Sequence, residues 1–330
     1  MLRMRRRDTL KMALAAPFWL AAGRAQAQAT TQAWPSRPVQ IIMGFGAGGG
    51  ADTMTRVVFQ KVSEILGQPM VVENRTGGNS VVAATAVLGL PRDGHAFLVN
   101  GAQQLVNPLL IKDLQFDYRT AFTPITKLCN YPQALSVAAD APWKTMQELV
   151  AYAKANPGKI RYGTSGVGGI PHIIGESLQT AGGVKFVNVP YRVAPEMLRD
   201  VAGGQLDMTI LTISTTQPML QAGKVRVIGV GNATRAKILP NVPTLAEAGL
   251  GDANLADWSG LFAATGVPDA ILRRMQAAVA EASRDPAVVA KLDAAGTELV
   301  ADTPAVFNPF LEKERALVTR VIRDANIKLE

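Results

Sequence analysis

The stretch Gly44-Phe45-Gly46-Ala47-Gly48-Gly49-Gly50-Ala51-Asp52 indicates the fold of this chain. It follows the short apolar run 39–45, which is typical of a buried strand, and precedes 54–65, where apolar residues recur every three or four positions as on one helix face. We expect Asp52 to cap this helix and Gly67 to end it. Because a helix start offers unpaired backbone N–H groups and a partial positive charge, the turn predicts an anion-binding site.

A second glycine-rich stretch has the same setting. Gly163-Thr164-Ser165-Gly166-Val167-Gly168-Gly169-Ile170-Pro171-His172 joins a predicted strand at 160–163 to a predicted helix at 171–180. A dinucleotide enzyme needs only one such turn, whereas two of them place an N–H-rich helix start on each side of a cleft. The pair therefore predicts two lobes that close on one small anion.

Strands and helices alternate through most of the remaining chain. Predicted strands lie at 70–72, 97–100, 135–137, 184–189, 206–211 and 225–230, and predicted helices at 80–88, 146–155 and 195–202, before a mostly helical C-terminal third. This alternation predicts the α/β class, in which each lobe is a mainly parallel sheet flanked by helices.

The first 27 residues have the features of an export signal. A basic head that includes Arg6 and Arg7 precedes an apolar run at 12–22, which is too short to span a bilayer, and Ala25-Gln26-Ala27 offers the small residues of a cleavage site. We expect residues 1–27 to be a signal peptide cleaved near Ala27. Both the general secretory route and the twin-arginine route fit the pattern, and either one predicts a periplasmic protein.

Composition and charge exclude several classes of protein. The chain has 330 residues, enough for about two domains, and its net charge is +8. Without residues 1–27 it keeps 28 basic and 25 acidic residues, a net charge near +3, so we expect no nucleic-acid partner. The single Cys129 excludes an intrachain disulfide, and with only two histidines we predict no metal site.

One enzymatic alternative stays open at this level. The spacing Gly44-x-Gly46-x-x-Gly49 matches a dinucleotide fingerprint, and Glu73 ends the next predicted strand, where a ribose-binding acid would lie. An exported NAD(P)-dependent oxidoreductase would fit this arrangement. It would also need an acid–base residue, for which His95 and His172 are the available histidines. No nucleophile elbow, zinc-protease motif or phosphate loop is present, so we predict no catalytic residues and no cofactor.

The residues from Trp34 to the C-terminus resemble the Bug-type extracytoplasmic solute receptors, the binding subunits of tripartite tricarboxylate transporters. The first glycine stretch, Gly44 to Asp52, resembles the first signature of that family. The other matching stretches, which agree with the family in order and spacing, are Val71-Val72-Glu73-Asn74-Arg75, Phe122-Thr123-Pro124-Ile125, Ala155-Asn156-Pro157-Gly158-Lys159, Val189-Pro190-Tyr191-Arg192, Gly203-Gly204-Gln205, Val242-Pro243-Thr244-Leu245-Ala246-Glu247-Ala248-Gly249 and Trp258-Ser259-Gly260-Leu261.

The resemblance implies a monomeric periplasmic binding protein of the two-lobed type II fold, which closes on a small carboxylate and delivers it to membrane permease subunits. Lobe 1 would comprise residues 30–129 and 252–330, and lobe 2 residues 130–251. Carried over by position, the ligand-binding residues would be Phe45, Gly46, Ala47, Gly48, Gly49 and Asp52 on lobe 1, and Ser165, Gly166, Val167, Gly168, Gly169, His172, Tyr191, Leu211 and Thr212 on lobe 2.

The departures from the family pattern concern ligand choice. Val167 stands where an Asn is common, Gly169 where a Ser is common, and Leu211 where an Asp is frequent. Because a buried polar group of the ligand without a partner costs about 1–3 kcal/mol, the loss of these polar side chains predicts a ligand with an apolar or aromatic body rather than an amino acid or citrate.

Overall fold

Two β-sheets, each flanked by helices, organise the chain in the computed structural model, which describes residues 34–164, 168–191, 193–251 and 257–328. The predicted signal peptide therefore lies outside the described residues. The strands are β1 (Val39–Met43), β2 (Met70–Asn74), β3 (Ala96–Asn100), β4 (Phe122–Tyr131), β5 (Gln133–Ala138), β6 (Ile160–Thr164), β7 (Phe186–Pro190), β8 (Met208–Thr212), β9 (Val225–Gly231), β10 (Asp257–Ala264) and β11 (Glu298–Leu299).

The helices connect these strands and cover the sheets. They are α1 (Gly50–Leu66), α2 (Val81–Leu88), α3 (Gln103–Leu110), α4 (Tyr118–Ala121), α5 (Met146–Ala155), α6 (Ile170–Gly182), α7 (Ala194–Ala202), α8 (Ile213–Gln221), α9 (Asp269–Ala282), α10 (Pro286–Ala294) and α11 (Pro304–Asp324). None of the helices in the described ranges combines the length and the apolar character needed to cross a bilayer.

Helix α1 shows how local sequence produces these elements. Its predicted apolar face is buried, with Met54, Val58 and Val62 fully inaccessible. The helix ends where expected, because Gly67 adopts the left-handed conformation and its N–H donates to the carbonyl of Ser63. The start differs from the prediction: Gly49, not Asp52, is the N-cap residue, and it offers no side-chain cap.

The first sheet has the strand order β11-β4-β10-β3-β1-β2. Strands β1, β2 and β3 are parallel, whereas β10 runs antiparallel to both β3 and β4. The two faces of this sheet pack in different parts of the core, because successive residues of a strand point to opposite faces. Ile41 and Met43 pack with Met275 of α9, whereas Ile42 packs in the cluster that includes Trp258 and Phe307.

The second sheet has the strand order β7-β6-β8-β5-β9. Strands β6, β7 and β8 are parallel, and β5 runs antiparallel to β8 and β9. The α/β class is confirmed, but the sheets are mixed rather than mainly parallel. The chain passes from β4 through Pro132 directly into β5, and a strand that enters a sheet without a crossover helix need not run parallel to its neighbours.

In both mixed sheets a glycine turn follows the carboxyl end of a parallel strand, β1 in the first sheet and β6 in the second. The carboxyl ends of the parallel strands β1 and β3 lie side by side in the first sheet, and those of β6 and β8 lie side by side in the second. A ligand site at the carboxyl ends of parallel strands is the usual arrangement in open α/β sheets.

Candidate ligand-binding site

The first glycine turn connects β1 to α1 through a left-handed residue. Gly48 has a φ of +78°, and Gly49, which follows it, is extended with φ −77° and ψ 170°. Residues 46–50 are exposed to solvent. The N–H groups of Gly50 and Ala51 lie in the first helical turn, where no intrahelical carbonyl can pair with them. These donors are available to an anion.

The Asp52 carboxylate is buried and hydrogen-bonded within the protein. Its Oδ2 accepts the Gly48 N–H at 2.9 Å, and its Oδ1 accepts Asn74 Nδ2 at 2.9 Å and Arg56 Nε at 3.0 Å. Burial opposes ionisation, but hydrogen bonds from Arg56, Gly48 and Asn74 outweigh it and lower the pKa of Asp52 to about 2. The carboxylate therefore holds the turn in shape, which is a different role from the predicted ligand contact.

Phe45 joins the first turn to helix α3. Asn74 Nδ2 also donates to the Phe45 carbonyl at 3.0 Å, which fixes the backbone there. A Cβ built on Gly101, just before α3, would lie 3.6 Å from Phe45 Cζ and 3.1 Å from Gln103 Oε1. The aromatic ring therefore lies against the beginning of α3, while the need for glycine at position 101 comes from the Trp258 carbonyl oxygen, which a Cβ there would strike.

The second glycine turn repeats the conformation of the first. Gly168 has a φ of +74°, and Gly169 is an extended N-cap with φ −70° and ψ 163°. Ser165, Gly166 and Val167 lie outside the described residues. Pro171 occupies the first turn of α6 and has no N–H, so this helix start offers one donor fewer than α1 does.

His172 is bonded within the second turn. It is 8% exposed, and its Nδ1 accepts the Gly168 N–H at 3.0 Å. Its Nε2 faces Glu176 Oε1 at 3.5 Å, and that oxygen also accepts the Tyr162 hydroxyl at 2.8 Å. Burial opposes ionisation of Glu176, but the hydrogen bonds from His172 and Tyr162 lower its pKa. The imidazole thus supports the turn through its own ring nitrogens.

Helix α3 brings the two turns to one region of the molecule. A Cβ on Gly168 would lie 2.5 Å from Leu110 Cδ1 and 3.7 Å from Val106 Cγ1, so the second turn packs on the C-terminal half of α3. The N-terminal end of the same helix adjoins Phe45 of the first turn. Both turns therefore contact the same eight-residue helix, the first at its N-terminal end and the second along its C-terminal half.

A cluster of hydroxyl groups at the start of α8 lies beside the first glycine turn. Thr212 Oγ1 lies 3.0 Å from Ser214 Oγ and 2.8 Å from Thr215 Oγ1, and it accepts the Thr215 N–H as the helix cap. A Cβ on Gly50 would lie 3.6 Å from Ser214 Oγ, so this cluster contacts the first turn. Sequence reasoning named Thr212 but missed Ser214 and Thr215, although a run of hydroxyl residues after a strand is a visible signal.

Leu211 and Tyr191 have other roles than those predicted. Leu211 is 5% exposed and packs with Met197 and Leu198 of α7, on the sheet face opposite to Thr212. This packing gives Leu211 a role in the core, and its predicted ligand contact stays a prediction. The Tyr191 hydroxyl donates to Asp200 Oδ2 at 2.5 Å, and burial together with that carboxylate raises its pKa to about 12. Its phenol is therefore already paired.

The dinucleotide spacing of the first turn is coincidental. In the fingerprint the third glycine allows close packing of helix on strand. Here a Cβ on Gly49 would meet only the Gly46 carbonyl oxygen, at an ordinary 3.6 Å, and α1 begins after that glycine. Glu73, the expected ribose ligand, is paired with Arg75 at 2.8 Å. The third glycine therefore does not provide the close helix packing that it provides in the fingerprint, and the expected ribose ligand is already paired.

Comparison with known proteins finds a matching family, relatives in sequence and similar solved structures. A family model described as "Tripartite tricarboxylate transporter family receptor" matches residues 54–327. A UPF0065 protein of Bordetella bronchiseptica is 32% identical over 316 residues, 96% of this chain and 93% of that protein. A structure of an R. palustris protein with adipate is 31% identical, with a TM-score of 0.78, and the match covers 89% of this chain and 99% of the other. MatC from Rhodopseudomonas palustris, with bound malate, is 27% identical with a TM-score of 0.74, covering 88% and 100%.

Proposed function

Since the chain belongs to the family of tripartite tricarboxylate transporter receptors, we propose that its two glycine turns together hold one carboxylate of a small solute. The protein is a solute receptor of a tripartite transporter. The observation that carries the proposal is that both turns contact the short helix α3, and each turn offers helix-start N–H groups that can bind an anion.

Backbone donors suit a carboxylate without help from arginine. The N–H groups of Gly50 and Ala51 on one side and of Gly169 and Ile170 on the other belong to helix starts, where the partial positive charge favours an anion. The hydroxyl cluster at Thr212 adds donors beside the first turn. Such preformed polar groups bind an anion with little reorganisation.

Closure of two lobes would complete the site. We assign residues 30–129 and 252–330 to lobe 1 and residues 130–251 to lobe 2. The two sheets divide in this way except at β4, whose last residues Asn130 and Tyr131 still pair with β10 in the first sheet. The approach of Gly50 to Ser214 and of Gly168 to Leu110 joins these ranges. A ligand that contacts both lobes stabilises the closed form by its additional contacts there, and the closed form would then dock on the permease subunits.

The body of the ligand is proposed to be apolar or aromatic. Phe45 and Leu110, which are half-buried, supply apolar surface beside the two turns, and the buried Val106 lies next to Leu110 behind the second turn. The adipate of the R. palustris relative has an aliphatic body of this kind. Leu211 packs in the core, so the presence of leucine where the family often has a polar residue does not support this proposal. The proposal rests on the apolar side chains beside the turns and on the lack of a polar side chain at Gly169.

The location of the protein in the periplasm and its monomeric state are also part of the proposal. The basic head, apolar run and small residues of positions 1–27 support export and cleavage near Ala27, which would leave a monomeric receptor in the periplasm. Membership of a receptor family supports binding without catalysis.

The test is ligand binding by the mature protein and by a matched pair of variants at Gly50. Thermal melting against a panel of mono- and dicarboxylates identifies a ligand, which at a thousand times its Kd adds about 4 kcal/mol to the stability. Gly50→Pro then removes one N–H at the first helical position, where proline is well tolerated and the preceding extended Gly49 is compatible with it. Gly50→Ala keeps the N–H, and its Cβ would meet Ser214 only at an ordinary 3.6 Å.

A hydrogen bond to a charged group contributes about 1.5–3 kcal/mol, so Gly50→Pro should weaken carboxylate binding by about ten- to a hundredfold while Gly50→Ala changes it little. Both variants should melt near the wild-type temperature. Equal affinity of the proline and alanine variants, or no response to any carboxylate, would show that the turn does not bind the ligand.

A further inference from the structure

The two glycine turns share one hydrogen-bonding device. In each turn the left-handed glycine, Gly48 or Gly168, donates its N–H to the side chain four residues further on, which is Asp52 or His172. The distances are 2.9 and 3.0 Å, and the intervening N-cap glycines have nearly the same dihedral angles. The side chain at this fourth position therefore holds both turns in the conformation that exposes the helix-start donors.

The two acceptors differ in their response to acid. The Asp52 carboxylate, with a pKa of about 2, remains an acceptor throughout the physiological range. An imidazole nitrogen accepts only while it carries no proton, and histidine is the side chain whose charge changes between pH 5 and 8. In His172 the Gly168 N–H points at Nδ1, so the ring proton must lie on Nε2, toward Glu176.

We propose that His172 is a positioning residue whose neutral imidazole holds the second turn in its ligand-binding conformation, and that protonation releases the turn and weakens ligand binding. The inference rests on the proposed function, since it concerns the same site. Protonation would place an Nδ1–H against the Gly168 N–H, so the buried hydrogen bond would be lost and replaced by a repulsive contact.

Among the residues that the structure describes, few charged groups lie near His172. Glu176 on the same helix faces Nε2, and Tyr162 on β6 donates to Glu176. Helix α11, which packs on α6, places Arg320 and Asp324 beside Ser177 and Thr180, between one and a little over two turns further along α6. From α3 the second turn meets the apolar side chains of Val106 and Leu110. Protonation turns the contact with Glu176 into an ion pair, which keeps the ring in place, while Nδ1 loses its ability to accept the Gly168 N–H.

The direction of the pH dependence separates this role from direct ligand contact. If His172 positions the turn, affinity falls as the pH is lowered from 7.5 to 5.0. If an imidazolium instead touched the bound carboxylate, the added positive charge would raise the affinity over the same interval. The first turn, held by Asp52, contributes no change in this range.

The experiment measures the affinity for adipate, or for whichever carboxylate of the panel binds more tightly, by calorimetry at several pH values. The wild type should lose about tenfold in affinity between pH 7.5 and 5.0. His172→Asn keeps an acceptor that does not titrate, so it should bind within about threefold of the wild type at pH 7.5 and lose the pH dependence. His172→Phe, which has no acceptor, should bind weakly at every pH.

The matched control is His95→Asn, which removes the only other histidine and should keep the wild-type profile. An affinity that rises toward pH 5.0, or a fall that persists in His172→Asn, would overturn the proposal. The Gly168 amide signal of the ligand-free protein gives an independent reading by NMR: it should move with pH in the wild type and stay constant in His172→Asn. If no carboxylate binds at any pH, the proposed function fails, while the Gly168 signal still decides whether His172 holds the turn.

Discussion

Replacing the Asp52 carboxylate tests how the first turn is held. Asp52→Asn keeps one oxygen that can accept the Gly48 N–H but removes the charge that attracts Arg56, at 3.0 Å. The pKa of Asp52 lies at about 2 against an ordinary value of 3.8, and each unit corresponds to 1.36 kcal/mol. The ionised carboxylate therefore contributes about 2 kcal/mol to folding at neutral pH.

The pH dependence follows from the sign of this shift. A lowered pKa means that the contribution of Asp52 is complete above pH 4 and disappears as the pH falls toward 2. Urea denaturation at pH 7 should show Asp52→Asn less stable than the wild type by about 2 kcal/mol, and the difference should shrink steadily below pH 4. Affinity for the carboxylate should fall as well, because the turn loses its anchor.

The matched control is Asp324→Asn, which removes an exposed carboxylate paired only with its neighbour Arg323. Surface pairs of this kind contribute about 0–1 kcal/mol, so the control should change little. A difference for Asp52→Asn below about 0.5 kcal/mol, or one that does not vary between pH 7 and pH 2, would refute the role assigned to the carboxylate.

Three further predictions concern other parts of the molecule. Gly48→Ala and Gly168→Ala should each cost about 1 kcal/mol by urea denaturation from their positive φ, and Gly168→Ala should also displace the Leu110 side chain, whose Cδ1 would lie 2.5 Å from the new Cβ; no loss of stability in either variant would contradict the left-handed conformation of these glycines. Burial raises the pKa of Cys129 to about 12, so a thiol reagent at pH 8 should modify it only after unfolding, and rapid labelling of the native protein would contradict this. Burial also raises the pKa of Glu314 to about 7, so that stability should fall as the pH rises from 4.5 through 7; Glu314→Gln should be more stable than the wild type at pH 8, and an unchanged pH profile would show that the carboxyl is not buried in this way.

Helices and parallel strands were predictable because their signals are local. Helix α5 begins and ends at the predicted residues, since its apolar spacing, the Thr145 cap and the Asn156-Pro157-Gly158 stop lie within a few positions of it. Strands β4 and β10 were missed, because their burial comes from pairing with each other across more than 120 residues and with β3. No local pattern reveals such a partner.

The contacts of the site were predictable only in part. The two glycine turns were visible in the sequence, because glycine, strand and helix start follow one another directly. Leu211 and Thr212 are neighbours in the sequence, yet they face opposite sides of the second sheet, and the side that meets the ligand region depends on how the sheet is covered. The anchoring of Asp52 by Asn74, 22 residues away, was likewise not visible.

The sequence by itself determined the α/β class, the positions of most helices and the presence of two N–H-rich turns, because each of these depends on residues within about one turn or one strand of each other. The tertiary structure decided which way the strands run, which side chains hold the turns, and that both turns contact α3. These features depend on pairings between distant segments, and such pairings are settled by the packing free energy of the whole chain rather than by any local preference.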